Sequence, residues 1–309
     1  MLFTDYVPLI HGQRQNSFVG LTSGRMFALL ATTAALLDAT TRPAVSSSST
    51  GHPRATRLQL CDRAPSEVPE PAFERRDVVR GALYVAWAYA TGISVARVAK
   101  FPPPAFKATV TQVYAQAQEP CGPGARILEI GAGASCASVF ESGRFRSGSA
   151  VTAVDVTLPD EFTLREAAEA AKQQGFSFRF EQGDATNLQG FADNSFDAVV
   201  CSLTLCSVSS ADAAVAEVER VLKPKGRFGF VEHVRVGEGD GRPLLGLSQQ
   251  LLDPLQIVVA HGCHLRRQSD ALIIDRFERA GGRVLRSQRM VNEDMWPVSQ
   301  QAAGVVEKA

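Results

Sequence analysis

A strand that ends in a glycine turn is the feature that most constrains this 309-residue chain. The apolar run Arg126–Ile130 leads into Gly131-Ala132-Gly133, and Glu129 lies two residues before the first glycine. Because glycine has no Cβ and tolerates positive φ, such a turn lets a ligand approach the backbone closely. At the head of a parallel sheet, a turn of this kind holds a nucleotide-like cofactor. The sequence therefore predicts an α/β fold with a cofactor site after this strand.

Segments typical of strands alternate with helical segments along the rest of the chain. Runs of apolar and β-branched residues predict strands, and apolar residues at i, i+3 and i+4 predict helices. The other predicted strands are Ala150–Val154, Ser177–Glu181, Phe196–Leu203, Arg227–Val231 and Arg283–Met290. The predicted helices begin at Ala105, at Glu161, after Ser209 or Ser210, and at Ser269. This alternation is typical of a doubly wound parallel sheet.

The residues around the glycine turn also limit which cofactor it can hold. A dinucleotide fingerprint needs a third glycine, and Cys136 stands in its place. Residues 127–140 contain no Lys or Arg, although a pyrophosphate site prefers positive charge nearby. Asp155 closes the next predicted strand, where an acidic side chain accepts hydrogen bonds from both ribose hydroxyls. The pattern favours a nucleoside without phosphates, such as S-adenosylmethionine (SAM), over a nicotinamide dinucleotide.

With these motifs in their order, the chain resembles the class I SAM-dependent methyltransferases from about Ala105 to Met290. The resemblance implies a doubly wound, seven-stranded, mostly parallel sheet (a Rossmann-like methyltransferase fold) with an N-terminal extension, and SAM as the cofactor. It assigns the methionine part of SAM to the glycine turn, the ribose to Asp155, and the adenine to the loop containing Asp184. The cofactor-binding residues that it implies are Glu129, Gly131, Ala132, Gly133, Asp155, Asp184, Ala185 and Ser202.

Three further motifs are similar to those of a narrower group, the membrane-associated alkyl thiol methyltransferases. They are VCSLTLCSV at 200–208, FVEHV at 230–234, and LDP at 252–254 with GCHLRR at 262–267. This similarity implies methyl transfer to a small hydrophobic acceptor, with a thiol as the preferred class. A quinone, phenol or lipid acceptor remains an alternative, as does a SAM-binding, membrane-associated protein without catalysis.

Three residues are candidates for the acceptor side of the reaction. His233 follows the strand Arg227–Val231, at the edge where open α/β sheets bind their ligands. It is the candidate catalytic base for an oxygen or carbon acceptor, with a structural hydrogen bond as the alternative. Cys206 and Cys263 are candidate substrate-binding residues, with simple packing as the alternative. Histidines flank Cys263, but the spacing H-G-C-H is not that of a zinc site, and the sequence predicts no metal.

The first part of the chain has a different composition. Residues 1–60 contain five Arg, no Lys, two acidic residues and fourteen Ser or Thr. This composition is typical of a transit peptide for a plastid or mitochondrion, with a disordered tail as the alternative. We assign residues 1–74 to this targeting and linker segment. Residues 75–104 contain the uncharged run Gly81–Ala96, for which a buried helix, a membrane-surface helix and a twin-arginine export signal remain open.

The remaining boundaries and partners follow from the same patterns. We assign residues 105–291 to the methyltransferase domain and residues 292–309 to a C-terminal tail. Within the domain, the apolar segment Pro243–Ala260 suits an acceptor-facing or membrane-facing lid, or a buried packing helix. The formal net charge of +0 does not indicate a nucleic-acid partner. The expected partners are a small-molecule acceptor and a membrane surface, and the sequence leaves the oligomeric state open.

Overall fold

The computed structural model describes residues 79, 81–82, 84–86, 88–89, 92–93 and 101–309. All of them belong to one unit, Pro71–Ala309. The transit-like segment 1–74 lies outside the described residues, as does most of the hydrophobic segment 75–104. The isolated described residues from 79 to 93 are helical. Among the described residues, no helix combines the length and the apolar character needed to cross a membrane.

Seven strands form a single sheet in the order β3-β2-β1-β4-β5-β7-β6. The strands are β1 Arg126–Ile130, β2 Ala150–Asp155, β3 Ser177–Gln182, β4 Phe196–Ser202, β5 Leu222–His233, β6 Arg283–Val291 and β7 Gln300–Glu307. β1 to β5 pair in parallel, and β7 runs antiparallel to both β5 and β6. The predicted seven-stranded, mostly parallel α/β sheet is therefore confirmed.

Six helices among the described residues connect or cover these strands. They are α1 Pro104–Ala117, α2 Ala137–Phe140, α3 Glu161–Gln173, α4 Ala211–Val221, α5 Pro243–Val259 and α6 Ser269–Arg279. Side-chain caps fix where two of them begin: Asp160 accepts from Thr163 N at 2.7 Å, and Ser210 accepts from Ala213 N at 3.2 Å. Each cap satisfies a backbone N–H that has no partner within its helix.

The helices cover the sheet with apolar stripes that the sequence pattern anticipates. Phe106, Val110, Val113 and Tyr114 of α1 are buried together, as the spacing predicts. The buried stripe of α4 packs on the other side, in a cluster with Phe228 and Phe277. Each fully buried aliphatic or aromatic side chain contributes about 1.5–3 kcal/mol to folding.

The segment 292–309 is not a tail, and that prediction was wrong. Gln300–Glu307 is strand β7, which lies between β5 and β6 and is buried along its whole length. β5 is also longer than the predicted Arg227–Val231, because it extends to His233. The domain therefore continues beyond the predicted end at residue 291. The strand was not predicted because it contains small residues such as Ala302, Ala303 and Gly304, which have a lower β-propensity than β-branched residues.

The apolar segment after β5 forms α5, and its polarity is unusual. Its buried residues are Gln249, Leu252 and Gln256. Gln249 accepts from Val236 N at 2.8 Å and donates to Val234 O at 3.0 Å, so it holds the chain that follows β5. The opposite side exposes apolar side chains, namely Leu244, Leu247, Leu251 and Val258. The helix thus buries two glutamines and Leu252 and exposes Leu244, Leu247, Leu251 and Val258 to solvent.

Candidate active site

The carboxyl ends of the five parallel strands meet at one edge of the sheet. Gly131 follows β1, Asp155 ends β2, and Ser202 and His233 end β4 and β5. Asp184 follows β3, whose Gln182 is paired in register with Asp155. Open α/β sheets bind ligands at this edge, because the loops after neighbouring strands face one another there. The structure therefore brings one predicted residue from each strand to a common edge.

The glycine turn requires glycine for both conformation and space. Gly131 has φ 71° and Gly133 has φ 69°, in the left-handed region that other residues adopt rarely. A Cβ on Gly131 would lie 2.1 Å from Thr204 Oγ1, because Thr204 packs directly against the turn. The Thr204 hydroxyl donates to Ile130 O at 3.1 Å, which ties the loop after β4 to the end of β1.

Glu129 is buried beneath the turn with an unusual set of contacts. Its Oε1 accepts from Tyr114 OH at 2.9 Å, and Tyr114 comes from α1. Burial raises the pKa of the Glu129 carboxyl, and the hydrogen bond from Tyr114 opposes this rise. Its Oε2 is buried and has no hydrogen-bond partner among the described residues. A buried oxygen without a partner is costly, so this atom fits the cationic amino group of a bound SAM.

Asp155 bridges the turn and the loop after β2. Its Oδ2 accepts from Gly133 N at 2.9 Å, and its Oδ1 accepts from Thr157 N at 2.8 Å. Each carboxylate oxygen has a second lone pair, so both remain able to accept from ribose hydroxyls. Asp155 therefore also shapes the glycine turn, in addition to the predicted ribose contact.

Glu232 organises the loop after β4 from inside the sheet. It is fully buried, and its Oε1 accepts from Thr204 N at 2.8 Å and from Leu205 N at 3.1 Å. The Cys201 thiol donates to the same oxygen at 3.4 Å. Burial raises the pKa of the Glu232 carboxyl, while the two backbone N–H groups oppose the rise. Because this loop carries Thr204 to the glycine turn, Glu232 fixes one wall of the candidate site.

Cys206, His233 and Cys263 form a buried cluster beside this loop. His233 Nε2 lies 2.9 Å from Cys263 Sγ, and one ligand atom from each residue lies within 4.8 Å of the other two. Gln256 of α5 donates to Cys263 Sγ at 3.6 Å. Contact with the Cys206 thiol lowers the pKa of Cys263, and His233 adds to this effect against the opposing effect of burial. The cluster thus holds Cys263 in a setting that favours its thiolate.

The chain around the cluster is held by backbone hydrogen bonds. After α5, His261 and Gly262 adopt positive φ and turn the chain back toward the sheet. His264 N then donates to Cys206 O at 2.8 Å, which joins the loop after α5 to the loop after β4. Arg267 Nη1 donates to Leu205 O at 2.6 Å and strengthens the same junction. The cluster is therefore supported by contacts that do not depend on its own side chains.

Comparison with known proteins agrees with this geometry. Residues 128–230 match the family model described as "Methyltransferase domain". That range runs from the strand before the glycine turn to the middle of β5, and so includes four of the five strand ends at the candidate site. This part of the chain is therefore similar to a methyltransferase domain.

Two curated proteins similar to this chain are named thiol S-methyltransferases. Rat thiol S-methyltransferase TMT1B is 38% identical over 144 residues, which cover 46% of this chain and 55% of the rat protein. Human thiol S-methyltransferase TMT1A is 34% identical over 161 residues, which cover 51% of this chain and 62% of the human protein. The chain therefore spans little more than half the length of these relatives. The solved structure of YcgJ from Bacillus subtilis has a TM-score of 0.45 and 20% identity, covering 65% of this chain and 97% of YcgJ.

The candidate site also contains residues that the sequence did not single out. Tyr114 was predicted to be buried, but its hydrogen bond to Glu129 was not predicted. Thr204 and Gln256 were likewise predicted only as parts of longer motifs. The hydroxyl of a tyrosine on a buried helix face was the available signal, because a buried Tyr O–H usually needs an acceptor. Glu232 is next to the candidate base His233 in sequence, and in the structure it is buried and accepts from the backbone.

Proposed function

We propose that this chain is an enzyme that transfers a methyl group from SAM to a small hydrophobic acceptor, and that the acceptor is a thiol. The observation that supports SAM as the cofactor is the buried, unpaired oxygen of Glu129 under the glycine turn. The similarity to thiol S-methyltransferases supports the thiol. When bound, SAM supplies a methyl group on a positively charged sulfur, which a nucleophile displaces.

In this proposal, the predicted residues bind different parts of the cofactor. Glu129 accepts from the amino group, Asp155 accepts from the ribose hydroxyls, and Asp184 with Ala185 binds the adenine. Ser202, at the end of β4, lines the floor beside the glycine turn. Asp184 Oδ1 accepts from Thr186 N at 2.8 Å, and this hydrogen bond helps to hold the loop that we propose binds adenine. A preformed site loses less conformational entropy on binding and therefore binds more tightly.

The acceptor side of the site lies where β4 and β5 end. Cys206, His233 and Cys263 line it in our proposal, and all three are buried, which favours an apolar acceptor over a charged one. A thiol needs only to ionise, because the thiolate is the nucleophile. His233 would act as a base only if its Nε2 were released from Cys263, which now lies 2.9 Å away. This contact favours a thiol over an oxygen or carbon acceptor, which would require a free base.

An acceptor panel tests the proposed function. Full-length protein would be incubated with methyl-labelled SAM and matched alkyl thiols, phenols and quinones, and labelled products would be separated by chromatography. We expect turnover with alkyl thiols that increases with chain length. Calorimetry with SAM and with NAD would be run in parallel. If only phenols or quinones are methylated, the hypothesis that the acceptor is a thiol is wrong. If the protein binds SAM but methylates no acceptor, the hypothesis that it is an enzyme is wrong.

We also propose that the leucine face of α5 contacts a membrane surface. Leu244, Leu247 and Leu251 repeat at helical spacing, and Leu244 is 82% exposed. Tyr84, Tyr89 and the other exposed apolar residues in the described parts of 79–93 add surface of the same kind. An amphipathic helix that lies in the interface binds through such a stripe without spanning the bilayer.

Flotation with lipid vesicles tests this contact. The double variant Leu247→Glu/Leu251→Glu should reduce the vesicle-bound fraction, because charges on the apolar face oppose insertion. The control Glu166→Gln alters an exposed position on α3 and should float like the wild type. The rival explanation is that the leucine face binds a second copy of the chain, and size-exclusion chromatography tests it. If the double variant turns a dimer into a monomer without changing flotation, the rival explanation holds.

A further inference from the structure

The Cys206–His233–Cys263 cluster, with two thiols and one imidazole, has the ligand composition of a metal site. The three residues come from three separate segments: the loop after β4, the end of β5, and the loop after α5. Thiolate and imidazole are the ligands that zinc prefers, and two Cys with one His is an established set for catalytic zinc. All three side chains are buried, at 2%, 1% and 6% exposure respectively.

The distances in the cluster also fit one ion. A tetrahedral zinc centre has bond lengths of about 2.3 Å to sulfur and about 2.0–2.1 Å to nitrogen, which separate its ligand atoms by about 3.5–3.8 Å. In the cluster, the nearest pair is 2.9 Å apart, and all three ligand atoms lie within 4.8 Å of one another. Shifts of less than about 1 Å would give each atom its bond length, and side-chain rotation supplies shifts of that size.

The surroundings contain the outer contacts that a metal site needs. Gln256 donates to Cys263 Sγ at 3.6 Å, and the backbone bond from His264 to Cys206 O fixes the two loops together. His233 Nδ1 and Gln256 Oε1 are buried and have no partner among the described residues. Neither atom is a ligand atom in this cluster, so the outer support described here comes from the Gln256 amide N–H and from the backbone bond.

We propose that Cys206, His233 and Cys263 bind one divalent cation of the zinc class through two sulfur atoms and one ring nitrogen. Binding leaves both cysteines as thiolates, and any proton that either sulfur still carries is released to solvent. This differs from the sequence-based expectation of no metal. That expectation rested on the H-G-C-H spacing, whereas the fold recruits only Cys263 from that motif and takes the other two ligands from elsewhere.

Three protein ligands leave a fourth coordination position, as in catalytic rather than structural zinc sites. We infer that an acceptor thiolate occupies this position, a consequence that rests on the proposed function. A metal ion deprotonates a coordinating thiol outright, which would supply the nucleophile without a dedicated base. This would account for a histidine that is engaged with a cysteine and not free to accept a proton.

Metal uptake by the full-length protein tests the site. Reduced protein would be stripped with a chelator, exposed to Zn²⁺ alone, and analysed by elemental mass spectrometry. We expect one zinc per chain. Cys263→Ser and Cys206→Ser should weaken zinc affinity by about 100-fold or more, beyond the 10–100-fold typical of outer-contact losses. The matched control is Cys121→Ser, because Cys121 is also a buried free cysteine but lies outside the cluster.

A second measurement on the wild type guards against variants that do not fold. Alkylation followed by peptide mass spectrometry should show that Zn²⁺ protects Cys206 and Cys263 and leaves Cys121 unaffected. Zinc uptake that survives both cluster variants would overturn the site. So would a Cys206–Cys263 disulfide in air together with no zinc uptake after reduction, since the pair would then be a redox couple.

Cobalt substitution separates the site from its proposed role. Co²⁺-loaded protein should show the strong visible bands of a tetrahedral, thiolate-bound ion, and an added alkyl thiol should change its sulfur-to-metal charge-transfer band. A tetrahedral spectrum that no thiol changes would support the metal site and reject the open position. Metal binding with thiol coordination but no methyl transfer would reject the proposed function alone.

Discussion

Replacement of Glu232 by Ala is the sharpest test of how the candidate site is built. The substitution removes the only acceptor in the described structure for Thr204 N, at 2.8 Å, and for Leu205 N, at 3.1 Å. Each buried donor left without a partner costs about 1–3 kcal/mol, so two cost about 2–6 kcal/mol. Loss of the buried carboxyl offsets part of this cost. We therefore expect the free energy of unfolding to fall by about 2–4 kcal/mol.

The matched variant Glu232→Gln keeps a carbonyl oxygen of the same reach. Both backbone N–H groups retain an acceptor, but the charge is lost and the new amide N–H2 group replaces Oε2, which is buried without a partner among the described residues, so we expect a decrease of about 1–2 kcal/mol. Urea unfolding followed by circular dichroism gives both values, and an unchanged m-value shows that the same surface is exposed. Glu166→Ala on exposed α3 should stay within about 0.5 kcal/mol of the wild type.

Two results would refute this reasoning about Glu232. If Glu232→Ala costs less than about 1 kcal/mol, the two N–H groups find other partners and the carboxyl does not hold the loop. If Glu232→Gln destabilises as much as Glu232→Ala, the negative charge matters and not the acceptor. SAM affinity measured on the same variants should fall with stability, because Thr204 on this loop packs against the glycine turn.

Three further predictions concern the cofactor turn and the C-terminal strand. Asp155→Ala should weaken SAM binding by about 1.5–3 kcal/mol in calorimetry, because charge-assisted hydrogen bonds are lost, whereas Asp155→Asn should lose less; equal losses would contradict this. Gly131→Ala should abolish SAM binding, because the new Cβ would lie 2.1 Å from Thr204 Oγ1, and an unaffected variant would exclude the turn from the site. The hydrogen bond from Arg283 lowers the pKa of Glu307 below its ordinary 4.5, so its stabilising contribution is complete above that pH and is lost as pH falls through the folded-state value. Acid titration of unfolding should therefore show a smaller loss in Glu307→Gln than in the wild type.

The sequence predicts those parts of the fold that depend on local pattern. The glycine turn, the acid at the end of β2 and the stripes of α1 and α4 are each encoded within a few residues, so periodicity identifies them. Gln300–Glu307 escaped prediction because its small residues form a strand only between β5 and β6, where tertiary pairing overrides weak propensity.

The candidate site divides in the same way. The positions of Glu129 and Asp155 were predictable, because each residue lies at or next to the end of its strand and the strand ends meet at one edge of the sheet. The contact of His233 with Cys263 was not predictable, because the two residues come from different loops whose approach depends on the packing of α5. The role of Gln256 was not predictable for a similar reason. A glutamine in an apolar run can be assigned a role only when its hydrogen-bond partner, here Cys263, is known.

The position of β7 has a consequence for how the protein is made. During synthesis, residues 300–307 leave the ribosome after the other six strands of this sheet, yet they belong between β5 and β6. Until they arrive, β5 has one free edge, and β6 has no strand that connects it to the rest of the sheet. A nascent chain can therefore complete the cofactor turn early, but it must keep the His233 strand from pairing with other chains. Ribosome stalling before residue 300 should expose an aggregation-prone edge that chaperones bind.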